Sequence, residues 1–294
     1  MAILRSGSAA KEHSPAWVTG AGGLIGSRIV RSAATQAPEW SVRALTRQDL
    51  DLTDFAAVQQ RFRQERPALI IHCAAISQSP TCQANPTLAH KVNVDVTGLL
   101  AELAVDIPFV FFSSDLVFDG RHGNYREMDV VNPLSVYGET KVAAERLVVA
   151  NPKHTIIRTS LNGGVSPTGD RGFNEQMRRV WQSGQSLKLF TDEFRCPIPA
   201  EITARTVWEL VARQAVGVYH VAGSERLSRW QIGQLVAARW PKLKPKITPA
   251  SLKEYQGAPR PADSSLNCDK VQTLLPFPLP RLTDWLAEHS DEEF

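Results

Sequence analysis

The sequence predicts an α/β fold: a doubly wound parallel sheet with helices on both faces and a smaller C-terminal α/β lobe. Three observations predict it. Short apolar or β-branched runs alternate with longer segments of helical periodicity between Ala16 and Ala222, the mark of repeated βαβ units and a parallel sheet. Those short runs are nearly all apolar rather than alternating, as strands covered by helices on both faces must be. The first run passes into "WVTGAGGLIGSRIV", residues 17–30, which sets Gly20, Gly23 and Gly26 at every third position before an apparent helix.

Taken in order, Ala16–Thr19 opens the sheet and Leu24–Gln36 is the helix that returns from it. Ser41–Thr46 is the second strand, Asp54–Glu65 the second helix and Leu69–Cys73 the third strand. A long helix over Pro86–Val105 leads to the strand Phe109–Ser113, and a helix over Val136–Ala150 to the strand Thr155–Arg158; Val218–Ala222 is the last strand of the set. After Arg158 the pattern loosens. "NGGVSPTGDRG" reads as a loop, "FNEQMRRVWQSG" as a helix ended by glycine, and "WPKLKPKITPASLKEYQGAPRPADSS" as proline-broken coil. The expected organisation is a loose extension over residues 1–14, a main domain over residues 15–160 plus about 190–223, and a second lobe over about 161–189 plus 224–294.

At 294 residues, 43% hydrophobic and 21% charged, the chain is long enough for a sizeable core and ordinary in composition for a globular protein. The formal charge of +3 is spread along the sequence, without the basic runs of a nucleic-acid or membrane surface, so neither partner is expected. The opening "MAILRSGSAAKEHSP" lacks the apolar core of a signal peptide and no apolar run reaches membrane-spanning length, so the expected location is cytoplasmic. Cys73, Cys82, Cys196 and Cys268 lie far apart without a CxxC, and the histidines form no HExxH. The cysteines read as reduced and structural, His72 as filler within an apolar run, and no metal site is predicted.

The glycine stretch has a chemical reading. A dinucleotide loop needs glycine where the chain turns off the strand, where backbone approaches a pyrophosphate, and where helix packs on sheet. The helix N-terminus then offers N–H groups and a positive dipole end to the phosphates. Here the spacing is GxxGxxG; the alternative GxGxxG register starting at Gly20 and Gly22 places Ile25 where its third glycine would fall. A plain glycine-rich turn is the competing reading. The second strand ends "SVRALTR", with Arg43 and Arg47 and no acid; arginine there suits a 2′-phosphate, which favours NADP(H) over NAD(H). In the following "DLDLTD", Asp51 is placed near an adenosine, or these acids cap the helix starting near Asp54.

"SVYGETKVAAERL" sets Tyr137 and Lys141 four residues apart, on one face of a predicted helix. Reduction of a carbonyl builds negative charge on its oxygen and needs a proton donor there. Tyrosine serves if a neighbouring ammonium draws its pKa down, and Lys141 is placed to do so. A hydroxyl from another element would complete the site: "FVFFSSDLVFDG" ends its strand with Ser113, Ser114 and Asp115, at the carboxyl edge where doubly wound sheets bind ligands.

These stretches, with "IIHCAA", "KVNVDVTGLLAELA", "YREMDVVNPLSVYGETKVAAE", "IIRTS", "GVYHVAGSERLSRWQIGQLVA" and "RPADSSLNCDKV", run in order over most of residues 16–275. The chain resembles the extended short-chain dehydrogenase/reductases and is similar within them to the dTDP-4-dehydrorhamnose reductase group. The resemblance implies a Rossmann-type domain, a nucleotide-diphosphate sugar substrate, a catalytic Ser114, Tyr137 and Lys141, and homodimerisation as one assembly option. It puts Gly20, Gly23, Leu24, Ile25 and Gly26 at the cofactor pyrophosphate, Arg47, Asp51 and Leu52 around adenosine, and Cys73, Ala74 and Ala75 along the third strand's end. Asn93 falls on the asparagine that steadies the active-site backbone. Ser114, Asp115 and Tyr137 would meet substrate; Arg195, in a segment where the family closes on its substrate, would meet a diphosphate or stand as a surface arginine.

Two positions depart from the group: Leu161 stands where an aromatic usually lies beside the sugar, and "TDEFRCPI" replaces a DQxGxPT-like segment. Asp115 is followed by Leu116 rather than by the glutamate of sugar dehydratases, which argues against elimination chemistry. An epimerase of the same superfamily and a non-catalytic regulator resembling the methionine adenosyltransferase β subunit are the alternative readings.

Overall fold

Strands whose two faces are both apolar must be sandwiched, and this chain builds such a sheet. In a computed structural model that describes residues 14–290, six parallel strands, β1 (Ser14–Thr19), β2 (Trp40–Leu45), β3 (Leu69–His72), β4 (Phe109–Ser114), β5 (Thr155–Thr159) and β6 (Gly217–Val221), lie in the order β2-β1-β3-β4-β5-β6. This extends the 2-1-3-4-5 doubly wound order, with the switch point between β1 and β3. Residues 1–13 of the expected N-terminal extension lie outside the described residues, and Ser14 already belongs to β1.

Side chains alternate between two cores. Ala16, Val18, Leu69, Ile71, Val110 and Phe112 face helices α1 (Leu24–Gln36) and α6 (Ala200–Ala212) through Ile29, Ala33, Ala204, Val207 and Trp208. The indole of Trp208 donates to the Ile29 carbonyl at 3.1 Å, locking the two helices together. On the other face Trp17, Ile70, Phe109 and Phe111 pack against α2 (Phe55–Glu65), α3 (Val96–Leu103) and α4 (Val136–Val149). The period-2 alternation turns the inner strands β1, β3, β4 and β5 into two-sided wedges between helix layers, whereas the edge strand β2 leaves Ser41 and Arg43 exposed.

The expected helix over Pro86–Val105 is interrupted. It runs Pro86–His90, passes through a π-helical turn at Lys91–Asp95 and resumes as α3. Asp54 and Ser135 cap α2 and α4, accepting from the Ala57 N–H at 3.0 Å and the Gly138 N–H at 3.3 Å.

The second lobe forms around Trp181, Leu189, Ile232, Val236, Leu282 and Trp285, contributed by α5 (Phe173–Gln182), α7 (Arg229–Arg239), α8 (Leu282–Glu288) and the strand Ser186–Phe190. One expectation fails here. The stretch read as proline-broken coil contains a strand, Lys246–Ala250, parallel to Ser186–Phe190. A two-stranded sheet leaves each strand with a free edge, where Pro249 removes no needed donor and lysines face solvent, so the apolar run that marks a central strand is missing.

Candidate active site

The switch point supplies the first half of the site. Gly20 leaves β1 at φ +68°, and a Cβ there would lie 2.7 Å from the Ala74 nitrogen and 2.8 Å from the Cys73 carbonyl carbon. Only glycine lets the loop cross so close to the exit of β3. A Cβ on Gly26 would run into the Gly20 carbonyl, so the helix start also needs a bare backbone. Gly23 is the N-cap of α1, with no side-chain cap and no acid in the first turn; the N–H groups of the turn holding Leu24 and Ile25 are left to an incoming anion.

Past β2 the two arginines part company. Arg43 pairs with Glu65 at 3.7 Å, whereas Arg47 is exposed and has no ion pair among the described residues. Asp51 folds back on Thr53, accepting from its N–H at 2.9 Å and its hydroxyl at 2.8 Å, and these bonds hold its carboxyl below the usual range. The capping role falls to Asp54, and Leu52 is half-buried against the α2–α3 core. At the end of β3, the Cys73 N–H donates to the Thr19 carbonyl at 3.2 Å and the Ala74 N–H to the Thr19 hydroxyl at 3.4 Å, with Ala75 following. His72 bonds Thr19 and Thr97 at 2.7 and 3.1 Å, and burial pulls its pKa to about 3, so it is a neutral structural group.

Asn93 explains the π-helical turn. Its amide oxygen accepts from the Ile76 N–H at 2.8 Å, and its nitrogen donates to the Ile76 carbonyl and the Thr140 hydroxyl, each at 3.0 Å. The side chain thus ties the exit of β3 to α4 one residue before Lys141, and the irregular turn aims it there. The arrangement makes Asn93 a brace for the site's backbone.

The second half of the site stands on β4 and α4. Ser114 closes β4; Tyr137 and Lys141 stand one turn apart on α4. The Ser114 hydroxyl near Tyr137 acts to lower the phenol pKa, yet burial first, and the charge of Asp115, push it up rather than down. Lys141, 2% exposed, is pulled down by burial to about 8, with Glu145 opposing. Its Nζ lies 4.4 Å from the centre of the Phe111 ring and has no hydrogen-bond acceptor among the described residues. The expected lowering of the tyrosine is therefore not found in the free protein. Burial dominates, the charges that bear on the phenol are those of Asp115, Cys82 and Arg195 rather than Lys141, and the phenol stays protonated.

Asp115 and Arg195 are together, and neither opens to solvent. The Arg195 guanidinium grips both oxygens of the fully buried Asp115, with Nε to Oδ2 at 2.6 Å. The same carboxylate accepts from Ser160 at 2.7 Å and Ser114 at 3.2 Å. Arg195 was expected at a substrate diphosphate; the structure turns its fork inward instead. Behind it, Glu193 accepts two bonds from Arg260, each at 2.8 Å. The sequence reading overlooked Ser160, Glu193 and Arg260, because 67 residues separate Glu193 from Arg260 and no local spacing announces the pair.

Two features fit a nicotinamide dinucleotide: a bend that admits no side chain, ending on an uncapped helix, and a buried ammonium without an acceptor. Gly20–Gly26, Arg47, the β3 exit and Lys141 would hold it. Among the described residues no group of three or more histidine, cysteine or acidic side chains could hold a metal ion, and no helix is long and apolar enough to cross a membrane.

Residues 16–293 match the family model described as the RmlD substrate binding domain. The chain is 31% identical over 278 residues to the dTDP-4-dehydrorhamnose reductase of Sinorhizobium fredii, covering 90% of this chain and 92% of the relative. It is 28% identical over 273 residues to methionine adenosyltransferase 2 subunit beta of Bos taurus, covering 87% and 81%. Among solved structures, a dTDP-4-dehydrorhamnose reductase from Clostridium acetobutylicum superposes with a TM-score of 0.84 at 28% identity, covering 94% of this chain and 98% of that one.

Proposed function

The chain belongs to the RmlD substrate binding domain family, and on that premise we propose that it is an NADPH-dependent oxidoreductase that reduces the 4-keto group of a nucleotide-linked deoxysugar. What supports the reading is the placement of Ser114 at the end of β4 and of Tyr137 and Lys141 one turn apart on α4, at the carboxyl edge of the sheet where ligands of doubly wound folds bind. When bound, the nicotinamide supplies the hydride.

The chain's own groups do the rest. Ser114 offers its hydroxyl to the substrate carbonyl, and Tyr137 gives its proton to the oxygen as charge develops there. A phenol raised by burial is fully protonated at neutral pH, so it enters the reaction carrying the proton it must deliver. Lys141 would hold the nicotinamide ribose and would steady the phenolate left after transfer. Arg47 takes the adenosine 2′-phosphate, its guanidinium being exposed and without an ion pair among the described residues. Leu116 after Asp115 leaves no acid pair for elimination, which favours reduction over dehydration.

The test is NADPH oxidation by the purified full chain with dTDP-4-dehydrorhamnose. Turnover is expected, and Tyr137→Phe should lower kcat by about 10²–10⁴-fold while NADPH affinity stays within several-fold. Near-normal rates in Tyr137→Phe would remove the proton donor from the mechanism. A second reading, a regulatory subunit, is favoured by the likeness to methionine adenosyltransferase 2 subunit beta; absence of turnover together with stable association to a methionine adenosyltransferase catalytic subunit would select it.

A further inference from the structure

We propose that Arg195 is a positioning residue for the reaction: its guanidinium fixes Asp115, and Asp115, which accepts the Ser114 proton in the free protein, holds the Ser114 oxygen in place until that proton turns to the substrate carbonyl. The inference rests on the reductase reading and deepens it.

Asp115 follows Ser114 directly, so the plane of its carboxylate decides where the neighbouring hydroxyl finds an acceptor. That plane is set by Arg195. Its Nη2 and Nε donate to Oδ1 and Oδ2 in a two-pronged fork that holds a carboxylate at one orientation. Oδ1 then accepts from Ser114 at 3.2 Å, and the Ser114 oxygen itself accepts from the Leu116 N–H at 3.1 Å. On Oδ2, Ser160 donates at 2.7 Å and Ser264 at 3.5 Å.

Arg195 is in turn held by the second lobe. It lies on the short strand Phe194–Arg195, paired antiparallel with Leu227–Ser228, and its Nη1 faces Glu193 at 3.8 Å, which Arg260 grips from the far side. A line of alternating charges thus runs from the C-terminal segment to the end of β4. The other ionisable groups whose charge bears on Asp115 are Tyr137 on α4, Cys196 beside Arg195, and Arg229 at the start of α7.

Stability alone is a poor reason for the pair, because a buried ion pair is often matched by an apolar pair of equal volume. Orientation is what the fork adds. A diphosphate contact by Arg195 is disfavoured by the same geometry, since the fork is occupied and the residue is 5% exposed.

The experiment compares Arg195→Gln, Arg195→Lys and the double variant Asp115→Asn/Arg195→Gln in the full chain, with NADPH and dTDP-4-dehydrorhamnose. Arg195→Gln should lower kcat by about 10²-fold, the scale of a misplaced reacting group, with the KM for NADPH little changed. A carboxylate buried without its counter-charge takes up a proton more readily, so the kcat/KM profile of this variant should differ from that of the wild type, and the double variant should not show that difference. Arg195→Lys keeps the charge without the fork and should recover stability more than kcat.

Tm against pH is read in parallel. The Tm deficit of Arg195→Gln should grow as pH rises from about 4, and that of the double variant should not. A wild type without turnover defeats the reductase reading, while the Tm comparison still tests the clamp. The proposal is overturned if Arg195→Gln keeps kcat near the wild-type value or shows an unchanged pH profile. Should Arg195→Gln yield no soluble protein, a double variant or an Arg195→Lys variant with wild-type kcat overturns it equally, and low kcat in both supports it.

Discussion

Lys141→Met removes a charge and keeps nearly all of the stem, so it isolates what the ammonium does to the free protein. The ammonium is buried, has no hydrogen-bond acceptor among the described residues, and titrates at about 8 instead of its usual 10.5. That gap corresponds to about 3 kcal/mol by which the fold disfavours the charged form. Part of the benefit of removing it is offset: the Phe111 ring contact at 4.4 Å is lost, worth about 1 kcal/mol. A net stabilisation of about 2 kcal/mol at pH 7 follows for the variant without cofactor.

The sign of the pH dependence follows from proton counts. Between about 8 and 10.5 the unfolded chain holds a proton on this lysine that the folded chain has released, so wild-type stability rises with pH across that window. Below it the full cost is present, and above it none. Urea denaturation of both proteins at several pH values, without cofactor, measures the difference. The variant should lead at pH 7 and lose its lead as pH passes about 10.5. In parallel its NADPH affinity should fall by about tenfold or more, the value of one hydrogen bond to a charged group. A variant less stable than the wild type at pH 7, or a lead independent of pH, would refute the reasoning.

Three further outcomes follow. Gly20→Ala forces a side chain onto a backbone at φ +68° and against Ala74, and should lose about 1–3 kcal/mol by denaturation together with NADPH binding; Gly22→Ala, where the nearest atom is Thr46 Cγ2 at 3.8 Å, should stay within about 0.5 kcal/mol. Asn93→Ala leaves the half-buried Ile76 N–H without its acceptor, while the Ile76 carbonyl keeps the Cys82 thiol, and should cost about 1–3 kcal/mol, with kcat lowered more than KM because the brace to α4 is lost. Arg47→Ala should raise the KM for NADPH about tenfold and leave that for NADH unchanged; equal effects on both would remove Arg47 from the 2′-phosphate.

The parts of the molecule legible in the sequence are those governed by short-range rules. Each strand of the central sheet is a burst of apolar residues, and "FVFFSS" already shows β4 and its polar end. The glycine bend and the Tyr137–Lys141 turn are local spacings and can be read directly. The Asp115–Arg195 pair spans 80 residues, and an arginine in the sequence looks the same whether it faces solvent or a carboxylate. Helix α6 gave only a weak start signal, Glu201 in its first turn, because Pro199 stands at its N-cap without a side-chain bond. Helix α7 did carry one, the Ser228 and Gln231 capping box, which a search for S-x-x-Q would have found. The π-helical turn had none: the backbone irregularity answers to Asn93 reaching Ile76, a tertiary demand invisible to periodicity.

The two buried charges beside Tyr137 are handled in opposite ways, and the contrast bears on how the site works. Asp115 has its counter-charge and its hydrogen bonds supplied by the chain, from Arg195 and Ser160. Lys141 has neither a bonded carboxylate nor an acceptor among the described residues, only a ring and the more distant charge of Glu145. A fully satisfied group is fixed before substrate arrives, and its orientation costs nothing at the moment of reaction. An unsatisfied one stores free energy that is released when acceptor oxygens reach it, so binding there is strengthened by what folding left undone. On the reductase reading, the first arrangement belongs to a group that must hold Ser114 still, and the second to a group that must hold a cofactor, which is why neutralising Lys141 should raise stability and lower affinity together.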